Sequence, residues 1–180
     1  MYFVICLLLA IVYACKFEFG ADISLEWTYN EDEEFDFLFK YPKSFEEDFN
    51  WAGFYYQVGD DEDSPSDGWV KTESTVYDTY SDSGELVPKS DVEQLGNEDI
   101  ASSFKVDGDD YIENTWTRKS SVEEALDLAL VADELYHFTV IFGFNKDDGD
   151  LQDPKIHGFV ISADITLVKE CEEDEETNTE

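Results

Sequence analysis

The sequence predicts an all-β protein, a sandwich of antiparallel strands with at most one or two short helical turns. Apolar and polar residues alternate with a period of two in residues 23–29, 35–39 and 158–168, which is the pattern of half-buried strands. Residues 111–118 interleave aromatic with polar side chains, and residues 136–144 consist mainly of aromatic and β-branched residues. Because such residues favour a pleated, packed surface, both stretches are predicted strands of one core.

The remaining elements follow from the alternation and from turn-forming residues. Residues 23–41 are predicted to form a hairpin with its turn at residues 30–33, and residues 51–59 form a third strand. One strand is expected over residues 70–80, followed by a long irregular connection before extended structure resumes at Phe104.

Two stretches between the strands carry other patterns. Residues 120–129 have apolar residues at helical spacing and Ser120 or Ser121 as the N-cap, so a helix of one or two turns is expected there. Residues 60–68 are predicted to be a solvated acidic loop. The clustered carboxylates of this loop also allow a weak calcium site, an alternative that the missing EF-hand spacing disfavours.

Length and charge limit the classes of function. With 180 residues, the chain is long enough for one well-buried domain. Its formal net charge is −34, from 45 acidic and 11 basic residues, so nucleic acid and anionic membrane surfaces are not expected as partners. The aromatic content of 16% argues against a disordered acidic protein, because these side chains supply the apolar area that a core needs. Cations, cationic proteins and neutral ligands remain as partners.

Residues 1–14 are predicted to be a secretory signal peptide. The stretch is apolar and uncharged, and Val12 and Ala14 occupy the small-residue positions of a signal-peptidase site. A membrane-spanning helix needs about 20 apolar residues, and charged residues follow this stretch too soon for that. The mature chain is therefore expected to start at Cys15, to be secreted or extracytoplasmic, and to have no transmembrane segment. Lipid attachment at Cys15 is a lesser alternative, disfavoured by the bulk of Tyr13.

The mature chain is predicted to have three parts. Residues 15–21 are an N-terminal segment, residues 22–168 the β-sandwich, and residues 169–180 an acidic disordered tail. Cys15 and Cys171 flank the sandwich, and in an oxidising compartment they can form a disulfide if their Cα atoms come within about 7 Å. Cys-x-x-Cys pairs are absent, so no cysteine zinc site is expected.

The sequence carries no motif that supports catalysis. Gly-x-Ser-x-Gly and phosphate-binding glycine loops are absent, and the chain has only two histidines, His137 and His157. We therefore expect a protein that is not an enzyme. His137 lies inside a predicted strand, where a packed, hydrogen-bonded or surface histidine is the usual outcome.

His157 is the candidate binding residue. It follows a polar loop, residues 145–156, and precedes Gly158, a junction at which an imidazole can face a pocket. A purely structural histidine is the plainer alternative. If His157 does bind a ligand, imidazole suits haem iron, and an aromatic sandwich can enclose a porphyrin.

The order of several short motifs resembles one family. These motifs are Leu25-Glu26-Trp27, Trp51-Ala52-Gly53-Phe54, Tyr77-Asp78-Thr79-Tyr80 followed by Pro88 and Asp91, Trp116-Thr117-Arg118 with Asp127, the strand at residues 136–143, and His157-Gly158. Over residues 22–168 this order is similar to that of the DOMON superfamily. That superfamily includes cytochrome domains of the cellobiose dehydrogenase type and the related haem-binding domains of ethylbenzene and dimethyl sulfide dehydrogenase subunits. The resemblance implies an immunoglobulin-like antiparallel β-sandwich whose pocket holds b-type haem or, in other members, a sugar-like ligand.

The resemblance also implies a ligand set. His157 matches the position of the family's late haem ligand, so haem b is the implied cofactor and His157 an axial ligand of its iron. Haem-binding relatives pair that residue with a methionine from the loop after the Trp-x-Gly-Phe-like strand, whereas the only methionine here is Met1. Five-coordinate haem, a second ligand such as His137, Lys155 in place of His157, and loss of haem all remain open.

The sequence thus leads to a secreted, non-catalytic, ligand-binding β-sandwich, with haem binding and electron transfer implied by the resemblance. The expected partners are a small-molecule ligand or a redox partner protein. One alternative is a module for carbohydrate or another small ligand that stacks on Trp and Tyr faces. The other is an acidic structural or interaction domain without haem.

Overall fold

The computed structural model describes residues 15–58, 64–72, 76–81, 89–90, 103–107, 110–119, 128–144 and 157–171. In these residues the chain forms two antiparallel sheets that pack face to face, which confirms the predicted all-β sandwich. The strands are β1 (Cys15–Gly20), β2 (Ile23–Tyr29), β3 (Glu34–Pro42), β4 (Trp51–Val58), β5 (Ser66–Thr72), β6 (Val76–Ser81), β7 (Lys89–Ser90), β8 (Ser103–Asp107), β9 (Tyr111–Lys119), β10 (Leu135–Gly143) and β11 (His157–Thr166). A short helix, α1 (Ser44–Asp48), lies between β3 and β4.

Strands distant in sequence form the middle of each sheet. The five-stranded sheet has the order β1-β2-β3-β9-β8, and the six-stranded sheet has the order β11-β10-β4-β5-β6-β7. Residue Phe37 of β3 lies opposite Trp116 of β9, and Phe54 of β4 lies opposite Val140 of β10. The alternation of apolar residues fixes these registers, because a slip of one residue would turn each buried ring to the other face.

The β2–β3 hairpin forms as predicted. The Asn30 side-chain oxygen accepts hydrogen bonds from the backbone amides of Asp32 and Glu34, at 3.0 and 3.1 Å, so this turn is closed by its own first residue. Glu33 has a positive φ of 61°, which the tight turn requires. Beyond the turn, Trp27 lies opposite Phe37, and both side chains face the core.

The core between the sheets is aromatic. Trp69 is fully buried near its centre, with ring centroids 5.7 Å from Phe39, 5.7 Å from Phe54 and 5.6 Å from Trp116. Each of these rings comes from a different strand, so the cluster ties both sheets together. Offset and edge-on contacts of this kind contribute about 0.5–1.5 kcal/mol per pair beyond the burial of apolar area.

The outer faces of the two sheets differ. On the five-stranded sheet the outer face is polar: Lys40 forms an ion pair with Glu113 at 3.4 Å, and Thr117 donates a hydrogen bond to Asp36 at 2.7 Å. The outer face of the six-stranded sheet instead carries a second cluster of buried residues. Its members are Trp51, Tyr55, Val70 and Ile141. This sheet is therefore covered on both faces over β4, β5 and β10.

A disulfide joins Cys15 to Cys171. Their Cα atoms are 5.3 Å apart, within the limit that the sequence analysis set. Residues 15–21 form β1 and its turn, and β1 pairs with β2 at the edge of the five-stranded sheet. The disulfide therefore connects this edge to the chain that follows β11. The Trp27 indole N–H donates to the Val168 carbonyl at 3.2 Å and holds the same region. Because the Cys15 sulfur is in the disulfide, this form of the protein has no thiol there for a lipid.

The single strand predicted over residues 70–80 is wrong. Two antiparallel strands, β5 and β6, occupy this region, with Trp69 opposite Asp78. The predicted acidic loop at residues 60–68 is also wrong at its end, because residues 66–68 belong to β5 and Asp67 is completely buried. An acidic residue is usually solvated, and Asp67 is buried because Arg118, from a distant strand, pairs with it.

Several predicted features lie outside the described residues. They are the signal peptide at 1–14, the first acidic positions 60–63 of the possible calcium loop, most of the helix expected at 120–129, Lys155, and the acidic tail from residue 172. Helix α1 was not predicted. In the described part of the chain, no helix has the length and apolar character needed to cross a membrane.

Candidate functional site

A cleft of about 420 Å³ opens at the end of the sandwich where β3, β5 and β10 end and β4 begins. We call it the aromatic cleft. Its lining residues are Tyr41, Phe45, Glu46, Phe49, Asn50, Trp51, Ala52, Lys71 and Phe142. Five of these nine residues are aromatic, and the charged groups among them are one lysine and one glutamate.

Helix α1 gives the cleft its outer wall. Pro42 ends β3, since proline has no N–H for the ladder, and the Lys43 amide turns away to donate to the Asp110 carbonyl at 2.8 Å. After the helix, the Phe49 amide donates to the Phe45 carbonyl at 2.8 Å. The helix therefore holds the half-buried rings of Phe45 and Phe49 over the end of the sandwich.

Phe142 is the aromatic centre of this wall. Its ring centroid lies 4.6 Å from that of Phe45, 5.2 Å from that of Tyr41 and 5.9 Å from that of Phe49. Trp51 also lines the cleft, but its indole packs on the outer face of the sheet, directly over Gly143, where a Cβ atom would come within 2.3 Å of the ring. Glycine at this position is required for the indole to pack on the strand. The cleft thus presents several ring faces and edges to a bound molecule.

Glu46, Tyr41 and Lys71 form a group of polar contacts at the cleft. Glu46 accepts a hydrogen bond from the Tyr41 hydroxyl at 3.2 Å and forms an ion pair with Lys71. Burial, and secondly the charge of Glu46, raise the pKa of Tyr41 well above its usual value. The Tyr41 hydroxyl therefore remains protonated and acts as a donor at any physiological pH.

The start of β11 runs beside the aromatic cleft. His157 is the first residue of β11, and its backbone lies opposite Gly143. The next residue, Gly158, packs so closely on the Phe49 ring that a Cβ atom would lie 2.3 Å from it. Phe159 then places its ring 5.4 Å from that of Phe45. The structure thus brings the backbone of His157 to the cleft, and ligation by its imidazole stays a prediction.

His137 lies far from this site. Its Nδ1 atom is 2.7 Å from Asp164 Oδ1, so it is the hydrogen-bonded strand histidine that the sequence suggested. From His137 to Gly143, β10 extends about 20 Å at about 3.3 Å per residue, and His157 lies at the Gly143 end. The two histidines therefore cannot ligate one iron within a single chain, which removes His137 as the second axial ligand.

A buried ion cluster lies between the sheets away from the cleft. Asp67, fully buried, pairs with Arg118, and Arg118 Nη1 is 3.8 Å from Asp78 Oδ2. The Tyr56 hydroxyl and the Leu128 amide each donate to Asp67 Oδ2 at 2.8 Å. Burial raises the pKa of Asp67, and the charge of Arg118 partly offsets this effect. The cluster joins the two sheets, and its charged members Asp67, Asp78 and Arg118 are all buried, which indicates a structural role.

This cluster was not predicted from the sequence, although the positions of Arg118 and Asp67 beside core tryptophans indicate it. Arg118, the only arginine of the chain, is two residues from Trp116 in a predicted strand, so both side chains face the core. A buried arginine requires a carboxylate partner. Asp67, two residues from Trp69, has the same relation to the core and is that partner.

Clustered metal ligands are not found in the described residues, where no three His, Cys, Asp or Glu side chains converge. The polar groups that line the aromatic cleft are Glu46, Lys71 and Asn50, beside its aromatic rings.

Comparison with solved structures gives a likeness of fold. No model of a known protein family matches the chain, and no curated protein matches it. A solved structure, the cytochrome b domain of pyranose dehydrogenase from Coprinopsis cinerea, is 12% identical in sequence, and the match covers 81% of this chain and 76% of that chain, with a TM-score of 0.43.

Proposed function

We propose that this chain is a secreted, non-catalytic protein that binds haem b in the aromatic cleft, with His157 as an axial ligand. The observation that supports the proposal is that β11 brings the backbone of His157 beside the cleft, opposite Gly143 and one residue before the contact of Gly158 with Phe49. Sequence motifs and the course of the strands thus lead to the same end of the sandwich.

The cleft suits a flat, largely apolar ligand. Its volume of about 420 Å³ lies within the range of about 300–1,000 Å³ that ligand pockets have. Rings such as Phe45, Phe49 and Phe142 can pack against a porphyrin face or edge. When bound, haem supplies an iron whose potential is set by its axial ligands.

The donor set fits haem with one strong protein ligand. His157 offers an imidazole, and the only methionine of the chain, Met1, belongs to the predicted signal peptide. His137 is too far away to be the second ligand. We therefore propose five-coordinate haem, or haem with a weak sixth ligand, and an affinity below that of a His/Met site.

The surface charge supports a particular kind of redox partner. A net charge of −34 repels anionic proteins and accelerates encounter with cationic ones. A partner with a basic docking surface would therefore associate fastest at low ionic strength.

Haemin titration tests the proposal. We expect the purified mature protein to shift the Soret band of haemin. His157→Ala should weaken binding at least about tenfold, because the iron loses its imidazole. His137→Ala should bind haemin like the wild type. His137→Ala is the matched control, since it removes the other imidazole at the far end of β10. Equal affinity of the wild type and His157→Ala would contradict the assignment of the ligand.

A carbohydrate is the second candidate. It is favoured by the combination of the half-buried Phe45 and Phe49 rings with the polar groups of Glu46 and Asn50 on one cleft, since sugars bind by stacking on rings and by hydrogen bonds. If haemin leaves the wild-type spectrum unchanged, calorimetric titration with neutral disaccharides tests this alternative. Binding lost in Phe49→Ala would support it.

A further inference from the structure

The ion pair between Lys71 and Glu46 is the feature of the cleft that haem ligation does not use. Lys71 lies near the end of β5 on the core side of the sheet, the same side as Trp69, and Glu46 lies on α1. Both line the cleft, and their side chains are 19% and 36% exposed. The pair therefore lies where the aromatic interior meets solvent, in reach of a ligand.

Lys71 is the only basic residue among the described residues that line the aromatic cleft. Among the described residues that line the cleft with it, the polar groups are Glu46, the neutral hydroxyl of Tyr41 and the amide side chain of Asn50. An ammonium group has three donors, so Lys71 can keep its bond to Glu46 and still donate to a second carboxylate. In a chain of net charge −34, an anionic ligand needs such a local cation to overcome the repulsion of the protein.

We infer that Lys71 binds a carboxylate of the ligand, so that the aromatic cleft selects flat aromatic molecules that carry a carboxylate group. This inference rests on the proposed function for its choice of site, and for haem the carboxylate would be a propionate. Glu46 has two effects in this arrangement. It holds the flexible lysine side chain at the cleft, and it competes with the ligand for the ammonium.

Two variants separate recognition of a carboxylate from a structural role of the pair. Lys71→Gln removes the charge, and its loss of one charge-assisted hydrogen bond is expected to weaken haemin binding about tenfold or more. Glu46→Gln removes the competing carboxylate while keeping an acceptor for Tyr41, so haemin affinity should be unchanged or higher. Lys40→Gln, on the outer face of the other sheet, is the control and should bind haemin like the wild type.

The esterified ligand identifies the contact. We expect haemin dimethyl ester, which lacks free carboxylates, to bind the wild type and Lys71→Gln with equal affinity. If Lys71→Gln loses as much affinity for the ester as it loses for haemin, the inference is overturned, because Lys71 would then only support the fold. An equal loss in Lys71→Gln and Glu46→Gln would overturn it as well.

A second pair of probes keeps the inference testable if haem does not bind. Calorimetric titration with 2-naphthoate and with methyl 2-naphthoate measures the preference of the cleft for a carboxylate without iron or His157. Tighter binding of 2-naphthoate, abolished in Lys71→Gln, supports the inference even where haemin fails to bind. Equal binding of the acid and the ester, or binding of neither, contradicts it. The haemin titration alone decides the proposed function.

Discussion

Replacing Arg118 by methionine is expected to destabilise the folded protein by about 3–5 kcal/mol, because it leaves a buried carboxylate without its counter-charge. Asp67 is fully buried and Asp78 is 3% exposed, so neither reaches solvent when the guanidinium is removed. The hydrogen bonds from Tyr56 and Leu128 to Asp67 remain, and they compensate only part of its charge.

The loss of stability in Arg118→Met should depend on pH. Burial already raises the pKa of Asp67, and loss of Arg118 removes a charge that lowers it, so the pKa of Asp67 should rise further in the variant. A carboxyl group whose pKa is higher in the folded state than in the unfolded chain favours folding when it is protonated. The stability difference between wild type and Arg118→Met should therefore be largest at neutral pH and shrink as the pH falls.

Urea denaturation of both proteins at several pH values measures this difference. Lys119→Met, an exposed neighbour on the same strand, is the matched control and should change stability by no more than about 0.5 kcal/mol. A deficit that is independent of pH would mean that lost packing of the arginine side chain, and not a buried charge, causes it.

Removing the disulfide is expected to destabilise the mature protein by about 2–5 kcal/mol. The bond between Cys15 and Cys171 closes almost the whole chain into a loop and fastens β1, an edge strand, to the chain that follows β11. Without it, β1 is held through its pairing with β2 and through neighbouring contacts such as the bond from Trp27 to Val168.

A double substitution, Cys15→Ser with Cys171→Ser, tests this expectation. Its urea midpoint should be lower than that of the oxidised wild type, and the wild type with reductant should match the variant. A midpoint that neither treatment changes would show that the contacts around β1 suffice without the covalent bond.

The strands that the sequence predicted best are those with one face in the core. Alternation located β2, β3 and β11 to within one or two residues at most ends, and the aromatic run located β10. β5 and β6 were merged, because their inward positions include Asp67 and Asp78, which break the apolar pattern that marks a buried face. The partner that permits this burial, Arg118, lies on another strand and becomes evident only when the sheets pack.

The candidate site was predictable only in part. The position of His157 at a loop-to-strand junction follows from the sequence, and the structure confirms that β11 starts there. The cleft beside it depends on Phe45 and Phe49 of α1, a helix of five residues that is too short to show helical periodicity. The ion pair of Lys71 with Glu46 joins two elements and has no local signal at all.

The central claim is that haem occupies the aromatic cleft beside His157, and crystallographic location of the iron tests it most directly. Crystals of the haemin-treated mature protein, measured at the iron absorption edge, should give an anomalous peak between the Phe142 wall and the start of β11, in bonding contact with the His157 imidazole. An iron peak elsewhere, such as near His137, or an ordered cleft without iron in crystals that contain haemin, would contradict the account.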